Sequence, residues 1–163
     1  MKLFLALVAS LLITGCCVFS SSSEGSRDVQ FVEIFMHTGK LNELDTFHGT
    51  YQKDLIHGTV KTTLWLTTRE QEIIAAALDN YRFFSLPDTV YKRPANEGVT
   101  PDIGLQVLRI KYGNQDKTVV WDSPIDPHNK SKYFIENITR LIWDIVTSKP
   151  EYKALPPTKG GYL

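Results

Sequence analysis

Six side chains carry most of the reactive chemistry in this sequence: the adjacent thiols Cys16 and Cys17, and the imidazoles of His37, His48, His57 and His128. A thiolate is a strong nucleophile and a soft metal ligand, and imidazole is the usual neutral ligand and general base. The spacings do not assemble them. No histidine has a second one three or four residues away, and no HExxH pattern occurs. Beyond residue 17 there is no thiol, so neither a structural disulfide nor a Cys-based metal site belongs to the body of the chain. The densest carboxylate–imidazole group is Asp122, Asp126 and His128, placed around Pro124 and Pro127. Such a loop suits a cation, but helix capping by Asp126 explains that residue without one. There is no GxSxG elbow, no SxxK pair and no phosphate-cradling glycine loop; Gly160 and Gly161 lie in a terminal segment. The sequence therefore names no catalytic residue, no metal ligand and no cofactor. An enzyme would need at least two of His48, His57, His128, Asp122 and Asp126 to meet in three dimensions.

Aromatic side chains are the remaining signal. Trp65 alternates with Lys61 and Thr63, opposite Val60, Leu64 and Leu66, which sets it on the outer face of a sheet. Tyr51, Tyr91, Tyr112 and Trp121 are candidates to join it there. Exposed aromatics are enriched where proteins and glycans are bound, so Trp65, Tyr91 and Trp121 are the candidate binding residues. The plainer expectation, which we favour, is that Trp65 fills a small second core beneath residues 88–102 or the C-terminal segment. Lys and Arg number 18, as do Asp and Glu, so no basic field supports nucleic-acid binding.

The elements that must position these residues are legible from periodicity. Residues 29–36 read as a strand and 38–45 as a connecting loop. Residues 46–55 and 59–66 alternate about His57-Gly58 and read as a hairpin, with Gly58 supplying the positive φ of a tight turn. Thr67 and Glu70 form a capping-box pattern that opens a helix ending near Tyr81 or Arg82. Phe83-Phe84-Ser85-Leu86-Pro87 reads as an apolar plug closed by proline. Residues 88–102 read as a long surface loop, a length usual for functional segments. Residues 103–112 and 117–121 form a second hairpin. Asp126 and Pro127 read as the N-cap and first residue of a long helix running to about Ser148. Its apolar stripe is Phe134, Ile138, Leu141 and Ile145, widened by Ile135, Ile142 and Val146. Residues 151–163 are too rich in Pro and Gly for regular structure, though Tyr152, Leu155 and Tyr162 can pin them. The expected fold is α+β, in the order β-ββ-α-ββ-α. About five mostly antiparallel strands carry both helices on one face.

The first residues read as an export signal: Lys2, an apolar run over residues 3–13 broken only by Ser10, then a serine-rich stretch. The run is shorter than the roughly 20 residues a membrane-spanning helix needs. At its end Ile13-Thr14-Gly15-Cys16 resembles the lipobox of bacterial lipoprotein precursors. That resemblance implies cleavage before Cys16 and diacylglyceryl transfer to its sulfur. Such anchors hold because each buried methylene contributes about 0.8 kcal/mol. It divides the chain into a signal (1–15), a lipidated Cys with a flexible linker (16–28), and one α+β domain (29–163). Cys17 at the second mature position, where aspartate is absent, favours the outer membrane if the host is Gram-negative. The remainder resembles small bacterial lipoprotein domains of no assigned activity, through the Thr67-to-Glu70 helix start, Phe83-Phe84-Ser85-Leu86-Pro87-Asp88 and the closing Lys149-Pro150-Glu151-Tyr152-Lys153. The expectation is a cell-envelope lipoprotein, membrane-bound through lipid. Its domain would be a non-catalytic binding or structural module for an envelope protein or glycan. An envelope hydrolase or metal-dependent enzyme, and an inhibitor of an extracellular enzyme, are the alternatives.

Overall fold

The computed structural model describes residues 31–94, 97–98 and 104–160. The export signal, Cys16, the linker, Tyr162 and part of the 88–102 segment lie outside the described residues. Seven strands make one sheet: β1 (Val32–Thr38), β2 (Asn42–Asp45), β3 (Thr50–Asp54), β4 (Thr59–Thr63), β5 (Thr89–Tyr91), β6 (Leu105–Tyr112) and β7 (Gln115–Asp122). Their spatial order is β4-β3-β2-β1-β6-β7-β5. All neighbours pair antiparallel except β5, which runs parallel to β7 along one edge. Three helices, α1 (Thr68–Asn80), α2 (Lys132–Ser148) and the short α3 (Pro150–Lys153), complete the fold.

The α+β class and the antiparallel character match expectation; the count of five strands does not. β2 was expected to be loop. Its sequence Asn-Glu-Leu-Asp has one apolar residue and no alternation worth reading. It is a strand because it is paired on both sides, with Leu44 seated between Met36 of β1 and Tyr51 of β3. β5 falls inside the expected 88–102 loop and is three residues long, too short for any periodic signal. The first hairpin correspondingly begins at Thr50, not residue 46, because residues 46–49 form the β2–β3 turn. Its β3–β4 turn is as expected: Leu55 N–H donates to the Gly58 carbonyl at 2.9 Å, and Gly58 has φ +139°.

Both long helices cover one face. Ile74 and Leu78 of α1 join Ile135, Ile138, Ile142 and Val146 of α2 in one buried cluster with Val32, Ile34, Met36, Leu44, Leu108, Ile110 and Val119. Fully burying each such side chain contributes about 1.5–3 kcal/mol. The α2 stripe is therefore centred on Ile135, while Phe134 and Ile145 only flank it. The helix also starts later than expected. Asp126 accepts the His128 N–H at 2.8 Å, and Asn129 accepts the Ser131 N–H at 2.8 Å. Those side chains are spent folding residues 126–131 into local turns, so the helix begins only at Lys132.

The capping box of α1 is present and does more than end a helix. Glu70 Oε2 accepts the Thr67 N–H at 2.7 Å and also receives Lys149 Nζ at 2.7 Å. Lys149 is buried at the C-terminal end of α2, so one carboxylate ties the start of α1 to the end of α2. Burial alone would raise the Glu70 pKa. The Lys149 hydrogen bond, then those from Thr67, outweigh it and hold this carboxyl below the usual range.

Candidate functional site

A cleft of about 450 Å³ lies at the end of the sheet where β1 finishes, β6 begins and β7 finishes, roofed by α2. Its helical wall is Glu136, Thr139, Arg140 and Trp143. Their spacing of three, four and seven residues puts them on one side of α2, beside the buried Ile135–Ile142 stripe. The sheet supplies Trp121 and Gln106, which are directly opposed across β6 and β7. Gln106 is only 3% exposed. Its Oε1 accepts the Gly39 N–H at 2.8 Å and its Nε2 donates to the Gly104 carbonyl at 2.9 Å. One amide thus pins both backbone segments that frame the cleft, and its burial is compensated by those bonds. Trp143 is braced from behind by Tyr51 at 6.2 Å and edge-on by Tyr152 at 6.0 Å. Tyr152 also packs on Tyr51 at 5.5 Å, and burial, followed by the neighbouring Tyr152 and Asp54, pushes the Tyr51 phenol well above its ordinary pKa.

The three aromatic residues picked out by the sequence do not form one surface. Trp65 does stand on the outer face, 58% exposed, as alternation requires. Among the described residues it is not covered by the C-terminal segment, one of the two coverings expected for it. That segment crosses the other side: Lys53 Nζ donates to the Pro156 carbonyl at 3.0 Å, Thr158 Oγ1 donates to the Asp54 carbonyl at 2.9 Å, and Tyr152 sits against Tyr51. The Trp65 ring instead lies over Gly49, where an added Cβ would come within 2.1 Å of Cζ2. It borders a small depression with Phe31, Phe47 and Leu66. Trp121 is a correction: it is 5% exposed and faces the helices, because it alternates in phase with buried Val119. Tyr51 and Tyr112 also face inward, as partners of Leu44 and Val32. Tyr91 is half-buried and paired in register with Trp121, but opens on a separate depression beside Pro124 and Asp126.

Of the five acid–base candidates, His48, Asp122 and Asp126 are engaged in local structure. His48 Nδ1 lies 2.6 Å from Asp45 Oδ2. Asp122 accepts the Arg93 N–H at 2.8 Å, and the Arg93 guanidinium donates to the Ser123 carbonyl. Among the described residues no three His, Cys, Asp or Glu side chains are placed to hold a metal ion.

The chain matches no protein-family model and no curated protein. The residues of the cleft must therefore speak for themselves. Sequence reasoning missed Gln106, Glu136, Arg140 and Trp143. One of them was detectable: Gln106 is the lone polar residue on the inward side of β6, in phase with Leu108 and Ile110, and an isolated polar side chain at a core position needs a reason.

Proposed function

We propose that this chain is a lipid-anchored protein of a bacterial cell envelope whose domain works as a non-catalytic binding module. The observation that carries the tether is the order Lys2, apolar run, Ile13-Thr14-Gly15-Cys16 and serine-rich linker, which resembles a lipoprotein precursor throughout. No helix among the described residues is long and apolar enough to cross a membrane, and a lipid on Cys16 is the attachment that the precursor-like N-terminal sequence supplies in this reading. In a host with two membranes the outer one is the destination. Binding, in place of catalysis, is supported by the cleft beneath α2: it is walled by indoles and a few polar groups, the usual make-up of a ligand site. The domain's partner in this reading is an envelope protein or glycan, and the exposed Trp65 is a candidate contact for it.

Replacing Cys16 tests the tether. In cells expressing the full chain, Cys16→Ser should move the protein from the membrane pellet to the soluble fraction or leave it as uncleaved precursor. Retention of a fully processed variant in the membrane would contradict the reading.

A further inference from the structure

We infer that the cleft beneath α2 takes a free small molecule carrying a carboxylate on a flat apolar body. This deepens the reading of that cleft as a binding site and rests on it.

The argument begins with unspent donors. Every polar side-chain atom sealed from solvent among the described residues has a hydrogen-bond partner. The ring of Trp121 is largely buried and lines the cleft, and its indole N–H, which has no hydrogen-bond partner among the described residues and is not sealed from solvent, is taken to face that space. A Trp N–H is a donor only and asks for an acceptor. Arg140 stands at the mouth of the same space, exposed, with no ion pair or hydrogen bond to the described residues. Glu136 is one turn away in the orientation that normally pairs with a cation four residues on. It does not take Arg140; its contact is a loose one of 3.8 Å with Lys132. The guanidinium is left with its planar fork of donors, the geometry that matches a carboxylate.

The remaining wall combines the Thr38 and Ser123 side chains with an apolar part. Ile125 and the rings of Trp121 and Trp143 surround the space between these donors. Gln106 spends both ends of its amide on Gly39 and Gly104, and the Thr139 hydroxyl donates to the Ile135 carbonyl at 2.7 Å. Its indole rings and Ile125 can receive a flat apolar group, while Arg140 and the Trp121 N–H can receive a carboxylate. The occupant would place its carboxylate on Arg140, with the Trp121 N–H as a second donor, and its apolar body between the indoles.

Phenylacetate and its uncharged amide, phenylacetamide, are suitable probes. Each is titrated into the detergent-solubilised full chain while the indole N–H resonances are followed by NMR, with Trp65→Phe and Trp143→Phe used to assign the three tryptophans. Phenylacetate should shift the Trp121 resonance and leave that of Trp65 in place. Phenylacetamide should bind about tenfold more weakly, as loss of a charge-assisted bond to arginine requires. Arg140→Gln should weaken phenylacetate to the same degree without changing the amide, and Glu136→Gln should strengthen it. An unmoved Trp121 resonance, or equal binding of acid and amide, would overturn the inference. A tripeptide ending in a free phenylalanine carboxylate that binds more tightly than phenylacetate would also overturn it, by assigning the cleft to a chain terminus. Membrane retention through Cys16 is measured separately. A tethered protein with an unresponsive cleft would lose this inference alone, and a responsive but untethered one would lose the envelope reading alone.

Discussion

The two faces of the sheet are held by different forces. On the helix-covered face the inward residues of β1, β2 and β6 are mostly apolar; Thr38 and Asn42 at the strand ends and Gln106 interrupt them, and Thr38 and Gln106 line the cleft. On the open face β1, β6 and β7 carry Glu33 against Lys111 at 2.9 Å and Arg109 against Asp116 at 2.7 Å, with the Arg109 guanidinium also over the Phe47 ring at 5.0 Å. The first face gains stability from area removed from water. The second gains little from exposed pairs and is ordered chiefly by the pleat beneath it. What separates them for function is that the polar groups of the covered face gather at one end of the sheet, where Thr38 and Gln106 meet Trp121 and Arg140 in the cleft.

The comparison is broken most severely at the centre of the covered face. Ile138→Ala leaves a cavity under α2 and should destabilise the fold by about 2–5 kcal/mol. Urea unfolding of the purified chain measures it, and a loss below 1 kcal/mol, on the order of a surface change, would mean that α2 is not seated as described. On the open face most substitutions should be tolerated, with Gly49 the exception. Its φ is +65° and the Trp65 ring occupies the place of a side chain. Gly49→Ala should cost about 2–4 kcal/mol from backbone strain and overpacking together. Adding Trp65→Ala should restore the overpacking part, and the double-mutant cycle reads the coupling directly.

A smaller effect sharpens the link between the helices on the covered side. Lys149→Ala removes the buried partner of Glu70 and should cost about 2 kcal/mol at neutral pH, less than a fully buried pair because Glu70 keeps some solvent. Since the folded pKa of Glu70 is depressed, its contribution is complete above the unfolded carboxylate value of about 4.3 and fades as pH falls through the lower folded value. The penalty of Lys149→Ala should therefore shrink on acidification. Equal penalties at neutral and strongly acid pH would show that the lysine acts through packing and not through charge.

Much of this frame was legible in the chain. The capping box from Thr67 to Glu70, the Gly58 hairpin turn and the outward position of Trp65 follow from local rules that tertiary contacts did not override. β2 and β5 were not legible, because four or three residues paired within a sheet carry no period of their own. Trp121 was misplaced because a β7 read only from residue 117 gave too few positions to fix which side faces the helices; Val119 settles the phase once the pairing with β6 is known. The cleft was hidden for a related reason. Glu136, Arg140 and Trp143 look like the solvated flank of an amphipathic helix until the ends of β1, β6 and β7 are brought beneath them.

The chemical state of the processed N-terminus tests the tether most directly. Mass spectrometry of chain recovered from membranes should find a terminus at Cys16 bearing a diacylglyceryl group on sulfur. A terminus elsewhere, or an unmodified Cys16, would contradict a lipid-anchored envelope protein.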